Sequence, residues 1–249
     1  MFTDTHCHIF NEYYEDIPKI IEKAKNVGIT RFINNGCDHK SNLEVLELIN
    51  KHKEMYGAIG IHPEVVDSYK KSDIDFIEEN LNNPKVIAIG EIGLDYHYTK
   101  ENKEKQIALF ETQLKLAEKY HLPVIVHSRD ATEDTINTLK KYQVTGVIHS
   151  FSGSLETANI YLKMGFYLGI NGVITFKNSK LKEVIKDIPL ENIILETDSP
   201  YLSPEPYRGT KNEPANIIEI AKFISDLKSV DLTELRAITN KNITRIFDI

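Results

Sequence analysis

The sequence has no tryptophan and only two cysteines in its 249 residues. Cys7 and Cys37 form no CxxC pair, which excludes a disulfide framework and points to a reducing compartment. Long hydrophobic runs are missing: none approaches the roughly 18 residues that a membrane span needs. The N-terminus, MFTDTHCH, has neither the basic start nor the apolar stretch of a signal peptide, so a cytoplasmic protein is expected. Positive charge is scarce, with 30 Lys and Arg against 37 Asp and Glu and a formal net charge of −7. That balance excludes a broad basic surface that clamps long duplex DNA by its phosphates. It leaves room for an enzyme that holds a few nucleotides beside a metal. There is no low-complexity tract, solenoid repeat, composition break or flexible linker, so residues 1–249 read as a single domain. The length suits one α/β barrel, and a 41% hydrophobic, 27% charged composition suffices for a sizeable core.

Short apolar runs alternate with longer amphipathic segments throughout. Strands are expected at Phe2–His6, Arg31–Asn35, Tyr56–His62, Val86–Glu91, Val124–His127, Gly146–Ser150, Tyr167–Asn171 and Ile193–Thr197. Helices are expected near 16–27, 41–53, 73–80, 101–120, 131–143, 155–165, 179–187, 213–228 and 231–246. Strands separated by helical patterns imply parallel βαβ units, and eight of them imply a (β/α)8 TIM barrel with an extra C-terminal helix. Ser41 precedes the second helix and Thr99 the fourth. Asp231 to Glu234 has the pattern of a capping box, and Pro123 stands where the fourth helix must stop. The Ser203–Pro214 stretch, with three prolines and a glycine, reads as a long ordered loop after the eighth strand.

Polar residues collect at the C-terminal ends of the expected strands. His6 and His8 close the first. Strand alternation turns both imidazoles to one side and Cys7 to the other, and two imidazoles so spaced can grip one ion. Glu91 closes the fourth strand in AIGEIGLD, His127 the fifth in VIVHSRD, His149 the sixth in GVIHSF and Asp198 the eighth in ILETDSP. In a barrel those ends form one mouth. Four histidines and two carboxylates gathered there are costly to bury uncompensated, which favours a metal site. His62, in GIHP, faces the same mouth as a supporting or substrate-contacting histidine. His39, His52, His97 and His121 fall on helices or loops without matching partners and read as surface residues. Cys7, turned toward the helix layer, reads as a small apolar residue. Glu196, one pleat deeper than Asp198, orients a ligand or bonds a neighbouring histidine. Arg129, on the face of His127, offers a fork for a phosphate oxygen, as do Arg208 and Lys211 on the loop after the eighth strand.

The motifs TDTHCH, GIHP, AIGEIGLDY, PVIVHSRDA, HSFSG and ETDSPYL, followed by YRGTKNEP, resemble the TatD family of metal-dependent deoxyribonucleases, a branch of the amidohydrolase-like barrels. The resemblance runs from residue 3 to the final NITRIF. It implies His6, His8, Glu91 and Asp198 around one divalent ion and Glu91, His127 and His149 around a second, with Glu91 bridging. Many related amidohydrolases bridge with a modified lysine, whereas Glu91 fits the family's carboxylate bridge. The resemblance also implies substrate roles near His62, Arg129, Tyr201 and Arg208, and hydrolysis of DNA phosphodiesters, often from an end. The chemistry agrees, since paired ions clamp both oxygens of a phosphoryl transfer and activate water without a side-chain nucleophile. Asp198 and Glu91 are then the catalytic carboxylates, with Asp198 as proton acceptor. Two divalent ions are expected per chain, and the ligands do not choose among Zn, Mg, Mn, Fe and Ni. Single-stranded or end-on DNA is the expected substrate, a membrane is not a partner, and a monomer is assumed. The alternative is a two-metal amidohydrolase or esterase acting on a small amide, ester or lactone.

Overall fold

Short buried runs form the strands, aliphatic in most but polar in β1, and apolar positions recurring on one side form the helices. The computed structural model describes residues 1–249, with strands β1 (Phe2–Cys7), β2 (Ile29–Asn35), β3 (Met55–Ile59), β4 (Val86–Asp95), β5 (Val124–Arg129), β6 (Gly146–Ile148), β7 (Phe166–Ile170) and β8 (Ile193–Leu195). The helices are α1 (Ile17–Asn26), α2 (His39–Lys51), α3 (Lys71–Asn80), α4 (Lys103–Tyr120), α5 (Thr132–Leu139), α6 (Leu155–Lys163), α7 (Leu181–Asp187), α8 (Ile217–Lys228) and α9 (Leu232–Phe247). The strands follow chain order in one sheet, and the pairs β1–β2, β3–β4, β4–β5, β5–β6 and β7–β8 are parallel. This is the (β/α)8 barrel, with α9 as the additional C-terminal helix. All ten residues of β4 are buried, as expected of a parallel strand covered on both faces. No helix is long and apolar enough to cross a membrane.

The chain divides into two compact units. One comprises Met1–Asn34, Ser150–Lys163 and Tyr167–Ile249; the other comprises Asn35–His149 and Met164–Phe166. The first contains the meeting of β8 with β1. Cys7 bridges to Ser199 in parallel, His8 N donates to Ser199 O at 2.7 Å, and Asp198 N donates to His6 O at 2.9 Å. Thr5 Oγ1 adds a bond to Leu195 O at 2.9 Å. Beneath these lies Asp4, with no exposed surface. Its Oδ1 accepts from Thr197 N at 2.9 Å, and its Oδ2 meets Thr197 Oγ1 at 2.5 Å. In the second unit β4 and β5 run side by side from Ile89 to Asp95. Gly93 makes this possible: at φ +143°, a Cβ there would stand 2.0 Å from His127 O.

Several strand ends differ from the sequence expectation, three of them because a side chain claims the backbone. β3 stops at Ile59 rather than His62. Gly60 is held by Asn42, through N to Oδ1 at 3.1 Å and Nδ2 to O at 2.7 Å. Ile61 is held likewise by Gln113, at 2.7 and 3.0 Å. β6 stops at Ile148 because Ser150 N turns to Glu196 Oε1 at 2.6 Å. β8 stops at Leu195 because Thr197 N is taken by Asp4. β4 instead outruns Glu91, since a register shift between Ile89 and Ile92 lets pairing resume along β5 as far as Asp95 and Arg129. The caps move too. Asp38, not Ser41, caps α2, and Ser41 completes the capping box from the third helical position. Asn102, not Thr99, precedes α4, while Thr99 Oγ1 accepts from Glu101 N in the turn before it. Asp231 caps α9 as expected, accepting from Thr233 N and Glu234 N.

Burial pushes the Asp4 carboxyl up to about 8, so it carries its proton at neutral pH and asparagine is its nearest mimic. Asp4→Ala strands the Thr197 amide and hydroxyl in the interior, and the expected loss is roughly 2–4 kcal/mol of unfolding free energy. Asp4→Asn should cost about 1 kcal/mol or less, because its carbonyl still accepts from Thr197 N and its NH2 can donate to the Thr197 hydroxyl once that hydroxyl turns to accept. Denaturant unfolding of the three proteins checks both values, and equal stability of the alanine and asparagine variants would contradict the clamp.

Candidate metal centre

The first unit presents one cluster of metal-ligating side chains. Alternation along β1 brings His6 and His8 to the same side, with their Nε2 atoms 3.1 Å apart. Asp198 follows β8 with φ +56°, a left-handed backbone that aspartate tolerates better than most residues. Its Oδ1 lies 3.7 Å from His6 Nε2 and 3.5 Å from His8 Nε2. Two ligand atoms sharing an ion at ~2.0–2.2 Å stand about 2.9–3.6 Å from each other. Two of the three separations fall in that range and the third exceeds it slightly, which makes the trio a candidate site for a single divalent cation. Asn34 fixes the chain beyond His8, its Oδ1 accepting from Ile9 N at 2.6 Å and its Nδ2 donating to Ile9 O at 3.2 Å. Glu196 is fully buried and packs against Gly169, where a Cβ would collide with its carboxylate.

The second unit gathers its ligands around Glu91. Glu91 Oε1 lies 2.8 Å from His127 Nδ1, 3.7 Å from His149 Nε2 and 3.6 Å from His62 Nε2. Glu91 thus has the two expected imidazoles, His127 and His149, beside it, and its donor atom groups most closely with those of His127 and His62. His62 is different. Its Nδ1 accepts from Glu64 N at 3.2 Å, so its proton sits on Nε2 and points at Glu91. In that tautomer His62 is a hydrogen-bond donor, not a ligand. Cys37 Sγ lies 3.8 Å from Glu91 Oε2.

Asp95 is the functional residue that sequence reasoning missed. Its Oδ2 holds His127 Nε2 at 2.9 Å, leaving Nδ1 aimed at Glu91. A carboxylate behind a ligating imidazole fixes the tautomer and the ring orientation. Burial opposes a charged His127, but the bonds to Asp95 and Glu91 outweigh it and push the ring up to about 9. Burial would raise Asp95 as well, yet the bonds from His127 and His97 N hold it below its ordinary value. Gln106 on α4 secures the Asp95 backbone on both sides, through Asp95 N to Oε1 and Nε2 to Asp95 O, each at 2.8 Å. The available signal was spacing: Asp95 is four residues beyond Glu91 in a strand that was expected to stop earlier.

The remaining expected residues lie nearer solvent. Arg129, at the end of β5, sets its guanidinium 5.5 Å from the Tyr98 ring centre. Tyr201 is half exposed; its ring stands 6.2 Å from that of His8 and its hydroxyl donates to Tyr13 Oη at 3.0 Å. Arg208 stacks 4.2 Å from the Phe176 ring centre. Lys211 Nζ is occupied by Tyr13 O at 2.6 Å. Two histidines read as unpartnered have acid partners, His39 with Asp73 at 3.3 Å and His97 with Asp130 at 3.0 Å. Cys7 packs with its Sγ toward Ile33 O, and burial pushes its thiol well above the usual range, which suits an inert structural cysteine.

Comparison with known proteins places this geometry. A family model described as TatD related DNase matches residues 3–248. The metal-dependent hydrolase YabD of Bacillus subtilis is 41% identical, with 100% of each chain covered. The metal-dependent hydrolase YcfH of Escherichia coli K12 is 33% identical, covering 99% of this chain and 95% of its own. The crystal structure of YjjV, a TatD homolog from Escherichia coli K12, superposes with a TM-score of 0.94 at 31% identity, covering 100% of this chain and 98% of that one. The chain belongs to the TatD-related DNase family and is a metal-dependent hydrolase.

Proposed function

We propose that this hydrolase cleaves DNA phosphodiester bonds, working on single-stranded or frayed ends. The observation that carries the reading is the donor set: each unit supplies imidazoles grouped with a carboxylate at ligand spacing, in a chain matched along its length by a DNase family model. We assign His6, His8, Glu91 and Asp198 to one divalent ion and Glu91, His127 and His149 to a second. When bound, such a pair supplies Lewis acidity and activated water. Asp198 accepts the proton released in the attack, its carboxylate standing beside two imidazoles on a strained backbone. His62 directs Nε2–H toward the Glu91 side, where it serves a substrate oxygen. Arg129 and Arg208 lie on exposed lips and suit phosphate oxygens, and Tyr201 offers an exposed ring edge for a nucleotide. A net charge of −7 opposes a long duplex footprint and favours these few contacts.

Three outcomes are expected. Elemental analysis under saturating Mn²⁺ should give two ions per chain, and a chelator should abolish hydrolysis; one ion or fewer would sink the two-ion assignment. A linear single strand should be cut faster than a covalently closed circular duplex of matched sequence, and equal rates would remove the preference for ends. Asp198→Asn should lower turnover about 10²–10⁴-fold, the usual cost of losing a general base. His6→Ala removes a ligand outright, so excess Mn²⁺ should partly restore it. If Asp198→Asn also regains near-normal turnover at high Mn²⁺, Asp198 is only a ligand and the proton acceptor lies elsewhere.

A further inference from the structure

A cavity of about 360 Å³ opens beside Asp95, walled by Glu64, Asp95, Tyr98, Thr99, Asn102 and Gln106. Its volume falls in the ~300–1,000 Å³ range of small-molecule sites. It shares a wall with the metal cluster of the second unit, because Asp95 lines it and also holds His127. Tyr98 is 74% exposed, the highest value among the large apolar side chains. The ring is therefore open to a stacking partner. Arg129 lies over the ring and His97 meets its edge at 4.9 Å and 79°, which holds the aromatic plane in place.

The chemistry of the walls selects the occupant. Asp95 and Glu64 are both acidic, so the cavity repels phosphate. The Arg129 guanidinium over Tyr98 disfavours a cation. A flat, neutral group that stacks on tyrosine and donates hydrogen bonds satisfies both constraints. The Asp95 oxygens are already taken by His127 and His97 N, and Gln106 is spent on the Asp95 backbone. The half-exposed Glu64 carboxylate, with only the His62 ring at 4.0 Å, is the available acceptor. We propose that this cavity seats a nucleobase bearing an exocyclic amine, next to the cleaved phosphodiester, stacked on Tyr98 and read by Glu64. The inference rests on the deoxyribonuclease reading. Thymine, the one base with no exocyclic amine, is the base it excludes.

The test uses metal-loaded protein and short oligonucleotides that differ only in the terminal nucleotide, dC, dA, dG or dT. The native protein should show KM for the thymine substrate raised about tenfold over the others, within the range for one carboxylate–amine contact. Tyr98→Ala should raise KM for the amine-bearing substrates about tenfold, the loss of one stacked base. Glu64→Gln should erase the discrimination against thymine, because its amide both accepts and donates. Equal KM for all four bases, or a Tyr98→Ala protein that matches the native one, overturns the proposal and leaves the nuclease reading intact. If no oligonucleotide is cut, the nuclease reading fails and equilibrium dialysis with dCMP and dTMP decides the cavity. Retention of dCMP over dTMP, lost in Tyr98→Ala, supports it; no retention overturns it.

Discussion

One buried carboxyl, Asp4, holds the place on which the first metal cluster depends. Asp4 joins β1 to the residues beyond β8 through the Thr197 amide and hydroxyl. His6 and His8 follow it by two and four residues on one strand, and Asp198 follows Thr197 directly. The side chains that group at ligand spacing thus hang from the two segments this clamp joins. A surface ion pair would be a poor device here, because it is worth little and is loosened by salt. A protonated acid buried against a threonine has neither weakness.

The same problem recurs wherever a strand must end inside the protein. Each strand has to leave its ladder to present a side chain, yet its buried amides and carbonyls still require partners. Primary amide side chains meet the need because one group both donates and accepts. Asn34 holds Ile9, Asn42 holds Gly60, Gln113 holds Ile61 and Gln106 holds Asp95. Gln106 and Gln113 sit seven residues apart on α4, two helical turns, and so face the sheet together. One helix thereby fixes both His62, next after Ile61, and the carboxylate behind His127.

This division explains what was legible in the sequence. The strand cores were readable because aliphatic runs declare themselves locally. His6, His8, Glu91, His127, His149 and Asp198 were readable because polar residues at the ends of such runs have no structural excuse. The strand ends were not readable, since what stops β8 is a carboxyl 193 residues earlier in the chain. Asp95 escaped notice for a related reason. The register shift in β4 carries that strand past Glu91, and no local signal in AIGEIGLD marks a bulge. His97 looked solitary because its partner, Asp130, reaches it from the far end of β5 on a left-handed turn at φ +54°.

Burial also separates the chemistry from the choice of substrate. The side chains of His6, His8, Glu91, His127, His149 and Asp198 are at most 18% exposed and hang from strands or the residues just after them. Such ligands are held to the tolerance a metal demands, because packing and hydrogen bonds leave them one rotamer. Arg129, Tyr201 and Arg208 reach toward solvent, braced by a single aromatic neighbour each: Tyr98, Tyr13 and Phe176. A stacked guanidinium or tyrosine keeps a direction without being fixed to a point. Tyr201 and Arg208 lie on the loop after β8 and Arg129 is the last residue of β5, and loops change length and sequence at little thermodynamic cost. Such exposed side chains can change while the buried imidazoles and carboxylates of each unit stay in place.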